Sequence, residues 1–291
     1  MLRSALLPCL FFSAAMPLWA LPEAEIQRFI DEAIQAGGGE VVIPPGVHVI
    51  EKGLRLAEAK KLRLIGLDAE ECVLKGGKDT TEILRLGGGC ESVFIEKLTF
   101  EGGKHAITES DGTKPSSKIL IGRCFFQNQA AAAVSLPKAE IESLEIDQCS
   151  FRDIAGAGVL FGGQVSGSQI THNHFTRCQT GVALDGPQKC LVASNELSDC
   201  GTGVGVSASS KKPTVEQGNI VALNSIDRST ENGIEIGKGT RSNSVIQNEI
   251  AASGGDGLRL SGDRHTVQRN QISKSGGKNI AVVEGEHQIA E

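Results

Sequence analysis

The sequence predicts an all-β protein, a single-stranded right-handed parallel β-helix solenoid with an N-terminal capping α-helix. Three observations predict it. The frame apolar-x-x-Asn-x-apolar recurs at Ile170/Asn173/Phe175, Val192/Asn195/Leu197, Val221/Asn224/Ile226, Val245/Asn248/Ile250 and Val267/Asn270/Ile272; upstream, Leu98, Cys124 and Cys149 fill the Asn slot, so the centres follow one another at spacings of 22 to 29 residues. A second element, Gly-φ-x-φ, keeps step six or seven residues after each frame, at Gly158, Gly181, Gly203, Gly233 and Gly257. Glycine reaches 36 of 291 residues without a period of three, which points to many tight turns rather than collagen.

Each unit reads as several short strands with period-two apolar positions and no room for a crossover helix. Such a unit cannot bury its own apolar face. Wound into parallel coils about 4.8 Å apart, equivalent residues stack on themselves. Phe100, Phe126, Phe151 and Phe175 then form an internal aromatic stack, and the asparagines an internal amide ladder that satisfies turn backbone.

Taken from the N-terminus, residues 1–20 have Arg3, an apolar run from Ala5 to about Ala15 and small residues up to Ala20. This is the pattern of a secretory signal peptide cleaved after Ala20, and the run is short for a membrane span. The mature protein is therefore expected to be secreted or periplasmic. Residues 21–37 form the capping helix, with Ile26, Phe29, Ile30, Ala33 and Ile34 on one face and Gly37 to Gly39 ending it. Residues 38–291 form the β-helix. No capping helix is evident at "NIAVVEGEHQIAE", so either the last residues fold across the open coil or a second subunit covers it. A monomer is the expectation and an end-to-end dimer the alternative.

Composition narrows the partners. A net charge of −6 with scattered lysines and arginines leaves no footprint for nucleic acid. Without the leader the chain has neither Trp nor Tyr, the usual platforms for sugar stacking. Seven cysteines then remain, an odd number for an oxidising compartment. Cys124 and Cys149 read as buried thiols. For Cys178 and Cys200, which share a turn slot with Ser229, Ser253 and Ser275, thiols and a disulfide both fit.

With the repeats and the "IPPG" entrance after the helix, the chain resembles the pectin-lyase-like parallel β-helices over essentially its whole mature length. That resemblance implies the fold. It leaves activity open, because the superfamily includes lyases, hydrolases, epimerases and proteins without known catalysis. In its carbohydrate-active members, chemistry usually occurs on the sheet of the Gly-φ-x-φ strands. Here the outward positions of those strands are Leu160, Ala183, Gly205, Glu235, Arg259 and Ala281, with Asp185 and Ser207 just past two of them. Nearby turns supply Lys211, Lys212, Lys238, Arg264 and His265.

An acidic polysaccharide is the partner this cluster implies, with Asp185, Lys211, Lys212, Glu235, Arg264 and His265 as contacts. The stretch from "GIEIGKG" to "GLRLSGDRHTVQRN" resembles the Lys/Arg region of alginate- and chondroitin-type lyases. It implies β-elimination with Lys238 as base and Arg259 as acid, although Gly237 and Ser261 stand where that family places its basic residue. The alternative is a non-catalytic envelope binding or scaffold module in which Glu235 and Arg259 are an exposed ion pair. Hydrolase and mannuronan-epimerase readings lack their Gly-His-Gly and Asp-Pro-His motifs. His172 and His174 form an outward H-x-H pair that leaves copper or zinc as a minor reading, and the sequence leaves any cofactor open.

Overall fold

A computed structural model describes residues 20–109, 114–162, 164–208 and 216–290. The expected leader, apart from Ala20, lies outside the described residues, and so do Lys211 and Lys212. Helix α1 (Glu23–Gln35) is followed by short strands that form one 12-stranded and one 18-stranded sheet. The pairings are parallel throughout, from Gly39–Ile43 against Leu62–Gly66 at one end to Thr266–Gln268 against Gln288–Ala290 at the other. The architecture is the expected right-handed parallel solenoid with one N-terminal helix.

The interior follows the repeat. Phe100, Phe126, Phe151 and Phe175 stack with centroids 5.1, 4.7 and 4.6 Å apart and planes within 7° of parallel. In register, Leu197, Ile226, Ile250 and Ile272 continue the column. The asparagine ladder runs beside it. Asn173 Nδ2 donates to Asn195 Oδ1 at 3.0 Å, Asn195 Nδ2 to Asn224 Oδ1 at 2.9 Å, Asn224 Nδ2 to Asn248 Oδ1 at 2.9 Å and Asn248 Nδ2 to Asn270 Oδ1 at 2.9 Å. Cys149 N donates to Asn173 Oδ1 at 2.8 Å, and Cys124 N lies 3.5 Å from Cys149 Sγ, so the two cysteines prolong the ladder as thiols. All seven described cysteines are buried and free, Cys178 and Cys200 included.

The motif glycines make room for that column. A Cβ on Gly158 would lie 2.6 Å from the Phe175 ring. On Gly181 it would lie 2.4 Å from Leu197, on Gly233 2.4 Å from Ile250 and on Gly257 2.2 Å from Ile272. Each glycine is therefore required by the stack residue of the following coil.

Helix α1 closes the first coil. Ile26 and Ile30 are fully buried, and Phe29, Ala33 and Ile34 pack partly buried against the core. Its polar side grips the exposed strand edge: Gln27 Oε1 accepts Arg55 N at 2.8 Å while Gln27 Nε2 donates to Arg55 O at 3.1 Å, and Glu23 accepts the N–H groups of Glu51 and Lys52. These side chains supply the partners that a preceding coil would supply. At the other end, Gln288–Ala290 adds a parallel strand beside Thr266–Gln268. The last residues thus prolong the solenoid and do not fold across it as expected, because "HQI" repeats the His-x-apolar pattern of "HTV" one coil earlier. Among the described residues no helix is long and apolar enough to cross a membrane.

Substituting Gly181→Ala should overpack the column and lower stability by about 1–3 kcal/mol. Urea unfolding measures this, and an unchanged midpoint would mean that the glycine column has another cause.

Candidate functional site

The outward positions of the Gly-φ-x-φ strands form one continuous row. Register places Arg55, Arg85, Thr108, Ser135, Leu160, Ala183, Gly205, Glu235, Arg259 and Ala281 on successive rungs. Charged rungs, Arg55 and Arg85 on one side and Glu235 and Arg259 on the other, flank the middle of the row. The middle, from Thr108 to Gly205, holds only small or apolar side chains over four rung steps, about 19 Å at the usual strand spacing. A Cβ on Gly205 would meet nothing within 4 Å, so space above it is open. Asp185 and Ser207 flank this strip on adjacent rungs, with Ser207 Oγ donating to Asp185 Oδ1 at 2.9 Å.

Charged residues beyond the strip are committed to partners of their own. Lys238 is 83% exposed and sits 3.5 Å from Glu284. Arg259 Nη1 lies 3.0 Å from Asp256 Oδ2. The Lys278 N–H, and then Arg259, hold the Asp256 carboxyl below its ordinary range. Glu235 accepts from Asn232 Nδ2 at 3.0 Å. Glu235 and Arg259 do occupy adjacent rungs, but the ion pair that the non-catalytic alternative placed between them gives way to Asp256 on Arg259's own coil. Arg264 reaches Glu216 at 3.1 Å and Asp263 at 3.6 Å.

His265 corrects the sequence reading. The sequence places it on an outer turn as a substrate contact, yet it is fully buried. Arg264 adopts φ +55°, and this left-handed corner turns the next side chain inward. There it joins a second internal ladder. Cys190 N donates to Asn219 Oδ1 at 2.9 Å, Asn219 N to Asn243 Oδ1 at 3.1 Å and Asn243 N to His265 Nδ1 at 3.1 Å. His265 Nε2 is 3.0 Å from Ser261 O and therefore carries the proton. The ring stacks on His287 at 5.1 Å. The sequence signal for this ladder was a polar residue two before the strand valine, in "NIV", "NSV" and "HTV".

The H-x-H pair does not converge on one point. His172 Nδ1 lies 2.8 Å from Asp147, and His174 Nε2 lies 3.4 Å from Glu196. Among the described residues no group of three or more His, Cys, Asp or Glu is placed to hold a metal ion.

Residues 112–272, more than half of the chain, match the family described as right handed beta helix region. The chain belongs to the right-handed β-helix family. No curated protein matches its sequence. Solved structures share the fold at low identity. The A-module of the mannuronan C-5 epimerase AlgE4 from Azotobacter vinelandii aligns with a TM-score of 0.60 and 14% identity, covering 92% of this chain and 95% of that one. DFA-IIIase from Arthrobacter chlorophenolicus A6, in complex with DFA-III, gives a TM-score of 0.71 at 13% identity over 96% and 82%. ORF18 of Geobacillus virus E2 gives 0.60 at 14% identity over 91% and 58%.

The buried histidine of this β-helix protein makes a measurable prediction. Burial, then the neighbouring His287, push the His265 pKa down to about 4. The unfolded chain therefore takes up a proton that the native state refuses, so stability falls as pH drops from about 6.5 toward 4, by at most on the order of 3 kcal/mol. His265→Asn, which repeats the Asn219 and Asn243 rungs, should remove that part of the acid loss when unfolding curves are compared across the window. Parallel pH profiles for the two proteins would contradict the assignment.

Proposed function

We propose that this is an exported protein that binds a polysaccharide along the strip from Thr108 to Gly205, with Asp185 and Ser207 as polar contacts at its margin. The observation that carries this reading is the strip itself. It is a row of small or apolar outward side chains without ion pairs, in which Ser135 is buried and the other four are partly exposed, open above Gly205 and flanked by charged rungs on both sides. An extended chain can lie along such a surface over several rungs with little desolvation of charge. Two proteins of similar fold, a mannuronan C-5 epimerase and a DFA-IIIase, are carbohydrate-active, which supports the class of ligand. Export rests on the leader pattern of residues 1–20.

The finer reading, an acidic glycan cleaved by β-elimination with Lys238 and Arg259, has less in its favour. A lysine base needs burial or a like charge beside it, whereas Lys238 is largely exposed and faces Glu284. Arg259 is held by Asp256. The described cations that would grip an acidic chain are thus neutralised locally, and fit to the strip contributes more than charge.

Binding of the purified protein to neutral and acidic polysaccharides tests this. Gly205→Trp should leave stability within about 0.5 kcal/mol, since a Cβ there meets nothing within 4 Å, and weaken binding at least about tenfold, or ~1.4 kcal/mol. Lys238→Ala and Arg259→Ala should leave it nearly unchanged. Binding that survives Gly205→Trp would overturn the strip as the site. Ultraviolet absorbance of a new conjugated double bond, with and without calcium, separates the lyase reading: a rise abolished by Lys238→Ala or Arg259→Ala would replace binding with cleavage.

A further inference from the structure

We propose that the Ala20–Leu21 peptide bond is the processing point of this chain and that His48 then holds the newly freed α-amino group of Leu21; this rests on the reading of the protein as exported. The step is a hydrolysis by a peptidase of the export machinery. The C–N bond breaks, the hydroxyl of water goes to the Ala20 carbonyl carbon and a proton goes to the Leu21 nitrogen.

His48 is the observation that points there. Its side chain is fully buried in the first coil. Nε2 lies 2.8 Å from Pro44 O; a carbonyl only accepts, so Nε2 carries the proton and Nδ1 is left as an acceptor. Nδ1 sits 2.8 Å from Leu21 N, which donates to it. The position of that nitrogen is fixed from three sides. The Leu21 side chain packs partly buried against the core. On the C-terminal side, Pro22 O accepts Glu25 N at 2.9 Å and Ile26 N at 3.2 Å, starting α1. A Cβ on Gly46 would lie 3.7 Å from the His48 ring and 3.8 Å from Ala20 Cα, so the chain passes over a glycine. Ala20 itself is exposed.

The slot therefore receives the nitrogen of Leu21, the first residue after the leader pattern. An ammonium donor makes a stronger bond to Nδ1 than an amide does. Glu23 and Glu25 in the first turn of α1 offset its positive charge at the helix N-terminus.

Two measurements test the proposal. Full-length protein made from Met1 in a secreting host is recovered outside the cytoplasm and its intact mass determined; the expected chain starts at Leu21. An exported chain that starts elsewhere overturns the proposal alone, whereas a chain that stays in the cytoplasm with residues 1–20 attached sinks the export reading with it. Separately, a chain produced to begin at Leu21 is acylated near neutral pH, where terminal amines react ahead of lysines. Native protein should label at Leu21 at least about tenfold more slowly than unfolded protein, the ratio being set by opening of the slot. His48→Ala should restore the fast rate with the fold retained by circular dichroism. Equal rates in native and unfolded wild type, or protection that persists in His48→Ala, would overturn the clasp. If His48→Ala does not fold, the wild-type ratio decides.

Discussion

A buried side-chain amide must find partners for its oxygen and its nitrogen, and the rest of this solenoid is arranged around that requirement. Asn195 illustrates it. Its Oδ1 accepts both Asn173 N and Asn173 Nδ2, while its Nδ2 donates to Ile170 O and to Asn224 Oδ1. One side chain thus ties its own coil to those before and after it. In an interior of low dielectric such a network is favourable only when complete, so each coil must return to the same height and phase. The insert between Gly203 and Asn224 lengthens one coil to the 29-residue spacing and leaves the ladder unbroken.

Keeping that phase requires strained corners. The residue before each ladder position is left-handed from Lys97 to Arg269, at φ between +53° and +58°, and none of the eight is glycine. A second column precedes the inward turn slot, from Asp153 to Lys274. Each such residue costs roughly 1 kcal/mol or more, offset by the hydrogen bonds or packing of the side chain it turns inward. Some corners recover a little more on the outside. Arg177 grips Asp153 through two nitrogens, and Arg228 grips Asp199 in the same way, so opposite charges alternate up the edge. With the interior and corners fixed, the outward row between Thr108 and Gly205 is held as a rigid surface.

The fold was legible because the Asn and Gly frames repeat one residue type at one slot. The second ladder was not, since Cys190, Asn219, Asn243 and His265 share hydrogen-bonding capacity but not identity. His265 consequently read as a surface turn. The charged site was legible only as a list. Whether Arg259 meets Glu235 on the next rung or Asp256 on its own coil depends on side-chain reach, and the nearer partner wins. The strip was visible in the sequence as Leu160, Ala183 and Gly205. Its meaning lies in what those residues lack, and it emerges only when the rungs on either side are seen to carry charge.

The most direct measurement is the urea unfolding free energy of Asn224→Ala. Asn195 N, Asn195 Nδ2 and Val192 O would lose their buried partner, and the account predicts a loss on the order of 3 kcal/mol. A variant within about 0.5 kcal/mol of the parent would contradict it, and would mean that apolar stacking alone sets the register of the coils.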